Sequence, residues 1–121
     1  MALTTVIRPL SGSTAGAPVQ VSATTTDTVL HTGPSTSTVI DQMFMYAVNS
    51  ATARVTIRIQ VAGSANIITE EVPAVSYMYP IVSDLRIWGV SAGDTATVIQ
   101  IGASTSAVVK IFGHVNRITE S

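Results

Sequence analysis

The chain has 121 residues, enough for one domain, with a formal net charge of -1 and 11% charged residues. The six basic residues are scattered, so no basic stripe exists for a phosphate backbone, and nucleic acid is excluded as a partner. Cysteine is absent, which excludes a disulfide scaffold and thiolate metal sites, and no apolar run is long enough to cross a bilayer. Val, Ile and Thr dominate the chain, whereas Leu occurs four times and Lys once. β-branched side chains are stiff at χ1 and pack well on a pleated surface, so this composition predicts an all-β domain.

Residues 1–18 read as an extended N-terminal arm. The stretch 10–18 is rich in Gly, Ser and Ala and has no period. Leu3, Val6, Ile7 and Leu10 give the arm apolar anchors, either on a frayed terminus or on a segment that orders against another subunit. Arg8 precedes Pro9 and so favours an extended bend. The arm is expected to anchor the protein to its partners, while residues 19–118 fold without it. The first nine residues also lack the basic and apolar regions of a secretion signal, which predicts synthesis in a cytosol.

Residues 19–121 read as a single β-sandwich domain. Short extended pieces at 19–22 and 28–31 precede a turn at Gly33 and Pro34. Residues 38–49 form the first long strand, and 54–61 alternate strictly. Val55, Ile57, Ile59 and Val61 share one face, with Arg54, Thr56, Arg58 and Gln60 on the other. A turn at 63–66 leads to a strand at 67–72, giving a hairpin. Pro73 breaks the pairing, and Pro80 marks the run 75–82 as an edge or a bulge. Strands at 85–90, 95–101 and 107–118 follow, separated by turns at 91–94 and 102–106. The pattern predicts about eight strands in an antiparallel sandwich, jelly-roll-like or Ig-like, with no helix.

Some strands are apolar on both faces. Met43 and Met45 lie opposite Phe44 and Tyr46, and Phe112 shares a face with Lys110 and His114. A small sandwich has core on one side only, so these positions are candidate subunit contacts. Arg54 and Arg58 are a solvated pair or an interface fork, since Arg is enriched at interfaces. The contact candidates are therefore Leu3, Val6, Ile7, Leu10, Met43, Met45, Arg54, Arg58 and Phe112.

Little points to chemistry. His31 and His114 have no metal-ligand spacing. Glu70 and Glu71 are adjacent in a strand and face opposite ways, with one expected to meet an Arg across a subunit boundary. Asp27, Asp41, Asp84 and Asp94 are read as turn caps. Trp88, Tyr77 and Tyr79 are core or subunit contacts, or a sugar-stacking platform. No nucleophile, phosphate or dinucleotide motif is present, so no catalytic residue, metal or cofactor is expected and the protein is read as a non-enzyme.

The run Thr28–Thr32, the long strand ending at 47–51, the alternating strand at 54–59, Pro73, the SAGDT turn at 91–95 and the closing STSAVVKIFGHV at 104–115 together resemble the small β-sandwich virion proteins of tailed bacteriophages. The resemblance spans roughly 27–118. It implies a capsid decoration (cement) protein on the outer surface of the virion. Its expected partners are copies of itself, as a homotrimer, and the major capsid protein, whose neighbouring capsomers it would stabilise. The alternative is a tail-tip or fibre module that recognises a host receptor or glycan.

Overall fold

The computed structural model describes residues 2–22, 24–26, 28–61, 67–105 and 107–120. The turn expected at 63–66 and the turn role expected of Asp27 lie outside the described residues. Nine strands occur in chain order: β1 (Leu3–Pro9), β2 (Val19–Gln20), β3 (Thr28–Thr32), β4 (Val39–Asn49), β5 (Val55–Val61), β6 (Ile67–Val72), β7 (Ser76–Trp88), β8 (Val98–Ala103) and β9 (Val109–Glu120). No helix is present among the described residues.

The strands form two packed antiparallel sheets. Sheet A runs β1–β9–β4–β7, with β2 continuing the β1 edge along β9, and sheet B runs β3–β8–β5–β6. The pairs β2–β9, β3–β8, β4–β7 and β5–β6 are nested inside one another. Each of these partner pairs, and each β1–β9 pair, is centred between Val61 and Ile67. The chain is thus one long hairpin, folded over so that β4 also pairs with β9 and β5 with β8. That wrapping is the jelly roll rather than the Ig-like order.

Alternation builds the core. In β4 the buried row is Asp41, Met43, Met45, Ala47 and Asn49, with Val55, Ile57 and Ile59 facing it from β5. Met43 and Met45 are fully buried, so they are core residues and cannot contact another subunit or a shell. The outward row of β4 is Ile40, Gln42, Phe44, Tyr46 and Val48, all half-buried.

The N-terminal segment departs most from the sequence reading. Leu3–Pro9 is a strand paired to β9 of its own chain, from Leu3 opposite Glu120 to Pro9 opposite His114. Residues 10–18 then close the side of the sandwich between β9 and β3. Leu10 is 1% exposed in the core, so it too is unavailable to a partner. Gly12 N–H donates to the Leu30 carbonyl (2.9 Å), and Thr32 N–H donates to Ser11 Oγ (2.6 Å). These bonds cover the β3 edge, which would otherwise offer open backbone groups. A Cβ on Gly12 would collide with the Val29 carbonyl oxygen, so glycine permits the approach.

The two strands expected at 75–82 and 85–90 are one strand, β7. It carries extra residues relative to β4 at Asp84, at Ile81 and around Met78. Asp84 and Met78 have φ of 62° and 50°, the left-handed geometry of a bulge. Among the described residues β7 pairs with β4 only, so the missing N–H of Pro80 faces an open edge, as expected.

Candidate functional site: exposed apolar surfaces on the sandwich

One cluster of titratable groups exists that the sequence reading missed. His31 and Asp41 are 2% and 0% exposed, and Arg117 reaches them from β9. Arg117 Nε and a terminal guanidinium nitrogen both donate to the Asp41 carboxylate at 2.8 Å, a bidentate fork. His31 Nε2 lies 2.6 Å from Asp41 Oδ2, while Ser11 N–H donates to His31 Nδ1 at 3.0 Å. An amide hydrogen aimed at Nδ1 requires a lone pair there, so the ring proton sits on Nε2 and is donated to Asp41. Burial pushes the Asp41 carboxyl up, but the Arg117 and His31 hydrogen bonds, with the charge of Arg117, outweigh it and hold the group below its ordinary value. Asp41 in turn raises Arg117.

Ser11, His31 and Asp41 superficially suggest a nucleophilic triad. The geometry differs: Nδ1 is occupied by the Ser11 amide, and the Ser11 hydroxyl accepts from Thr32 N–H. The cluster ties the 10–13 loop and β3 to β4 and β9, so it is a clamp between sheets. Asp41 is therefore an inward strand residue rather than a turn cap. No three His, Asp or Glu residues converge on a possible metal position among the described residues. No helix among them is long and apolar enough to cross a membrane.

The other predicted contacts divide by exposure. Arg54 pairs with Glu71 of its own chain at 3.0 Å, both widely exposed, and Arg58 donates to the Thr24 carbonyl at 2.9 Å. The Arg partner expected across a subunit boundary is thus met within the chain, by an ion pair contributing less than about 1 kcal/mol. Leu3, Val6 and Ile7 are 68%, 46% and 73% exposed on β1, a strand exposed along its whole length. Phe112 is half-buried on the outward face of sheet A.

That outward face has a definite layout. Phe44 and His114 stack with ring centroids 5.3 Å apart. Beside them a polar row crosses the sheet: Asn116 donates to Gln42 at 3.2 Å, Gln42 to Asp84 at 2.6 Å, and Arg86 to Asp84 at 3.1 Å. The Gln42 and Arg86 hydrogen bonds lower the Asp84 carboxyl. Apolar groups flank the row on both sides: Phe112, Tyr46 and Pro80 on one, Ile118, Ile40 and Trp88 on the other.

A second surface is the corner entering β7. Val75, Tyr77 and Met78 are 55%, 78% and 49% exposed. Val75 has φ of 49°, a costly geometry for a β-branched residue. Neighbouring bonds enforce it. Val75 N–H donates to the Ala51 carbonyl at 3.0 Å, and the Ser76 hydroxyl donates to the Pro73 carbonyl at 2.5 Å. The buried Asn49 amide donates to the carbonyls of Ala53, Val72 and Pro73, holding both adjacent turns. Tyr77 and Trp88 sit at opposite ends of β7, separated by a stretch level with about eight residues of β4, about 26 Å at roughly 3.3 Å per residue, so they form no common platform.

Comparison with protein-family models, curated proteins and solved structures finds no match.

Proposed function

We propose that the protein is a structural virion subunit of the decoration type, which docks on the outer shell of a phage head and stabilises neighbouring capsomers. The observation that carries this reading is the corner at 75–78. Three large apolar side chains stand in solvent there, on backbone held strained by its neighbours. Stored strain together with exposed apolar surface is a mark of a contact site rather than of a core. The interior supports the same reading: among the described residues every buried polar side chain has a partner, and the one buried ionic cluster is a clamp. The shell offers many equivalent sites, so a modest contact repeated over them is sufficient. The separation of Tyr77 from Trp88 supports this reading over the glycan-binding alternative.

The test is co-sedimentation with heads of the encoding virus that lack the protein. The full chain is expected to bind and to raise the temperature at which heads release their contents. Tyr77→Ser should leave the fold intact and weaken binding at least tenfold. Heads that neither bind the protein nor gain stability from it would reject the reading.

A further inference from the structure

We propose that the outward face of sheet A is an interface between two copies of this chain, related by a two-fold axis that crosses β9 and β4 perpendicular to the strands. The outward row of β9 runs Lys110, Phe112, His114, Asn116, Ile118, Glu120. Its only full charges stand at its two ends and are of opposite sign. Neither Lys110 nor Glu120 has a side-chain hydrogen bond or ion pair among the described residues, and both are exposed.

A rotation that exchanges the ends of β9 sets Lys110 of each copy against Glu120 of the other, forming two ion pairs. It also sets Phe112 against Ile118. On β7, where Trp88 is level with Ile40 and Pro80 with Tyr46, it brings Trp88 over Pro80. An axis along the strands would place Lys110 against Lys110 or against the apolar row of β4, and no ion pair would form. The charge pattern therefore selects one two-fold and one occupant, because a surface that satisfies its own charges on rotation fits a second copy of itself.

The size is adequate. Four strands spaced about 4.8 Å apart, with eleven residues of β4 at roughly 3.3 Å each, give a face of about 700 Å² per copy. The total of about 1,400 Å² falls within the range of stable specific interfaces. Leu3 and Ile7 of β1 extend the same face, which accounts for a strand whose large side chains find no cover in the single chain. This two-fold arrangement differs from the three-fold order that the sequence resemblance implies.

The inference is independent of head binding, since its readout is the mass of the free protein. Sedimentation equilibrium of the full chain from micromolar to submillimolar concentration should show a monomer–dimer equilibrium. Lys110→Glu and Glu120→Lys should each raise the dimer dissociation constant about tenfold or more, as two ion pairs become two repulsions. The double variant K110E/E120K should restore it. A monomer throughout, a trimer, or a dimer indifferent to these reversals would overturn the proposal. A dimer that ignores phage heads would keep it and remove the functional reading instead.

Discussion

Asp41 is the residue on which most of the buried polar structure converges. Replacing it with Asn removes the anion that Arg117 and His31 share and leaves a partly buried guanidinium without its counter-charge. Breaking such a pair from one side costs about 3 kcal/mol or more. Urea denaturation of Asp41→Asn should show that loss with an unchanged slope. The carboxyl's folded value lies below its unfolded value of about 3.9, so the unfolded chain binds the proton more readily. The resulting stability is complete above the unfolded value and is lost as pH falls through the folded one. Urea midpoints should therefore fall as pH drops below the unfolded value, and the fall should be shallower in Asp41→Asn. At Val75 the expectation reverses. Val75→Gly relieves left-handed strain, so stability should stay constant or rise by up to about 1 kcal/mol while head binding weakens.

Among the elements, β1 and the loop after it divide the roles expected of a single arm. All seven residues of β1 are exposed, so its deletion should cost little in monomer stability while abolishing part of the dimer face. Leu10→Ala, by contrast, should cost roughly 2–5 kcal/mol, because it empties a fully buried position. A chain beginning at Ala17 would lose Leu10 and the Ser11 bonds together, and its urea midpoint should fall well below that of the β1 deletion. The difference between these two truncations could not be read from local pattern. Leu3 and Leu10 look alike in a polar, aperiodic stretch, and only the closure of the sandwich decides which one is buried. Strict alternation made β5 legible, and turn residues bounded β6 and β9. β7 was split because each bulge resets the period, so its inward and outward rows change places along the strand. Asp41 was misassigned for a related reason: a carboxylate on an inward row looks like a turn cap until Arg117, 76 positions away, is brought beside it.

At the scale of the molecule, the nested order of pairs governs folding. Of the strands that pair with each other, only β5 and β6 are joined by a short connection; every outer pair closes a longer loop before its contacts are gained. Refolding is expected in milliseconds to seconds, as for other sheets dominated by non-local pairing. Stopped-flow circular dichroism after dilution from urea should show it, and a microsecond phase carrying the full amplitude would contradict the nested scheme.

The outermost layer of that nest has a mechanical consequence. Leu3 and Glu120 are direct partners, so a load applied between them enters at one end of the β1–β9 ladder. The strands then part like a zip, one bond at a time, each contributing only about 1 kcal/mol. The next resistance is the hook of Leu10 and Ser11 in the core and on His31. Beyond it, β2–β9 and β3–β8 are again loaded from their ends. Pulled by its ends in an optical trap, the chain should yield β1 first at low force, then pause at the hook, then unravel inward. Compressed across its sheets, it has no such seam. The architecture suits a clasp that is pressed between neighbours rather than a tether stretched between them.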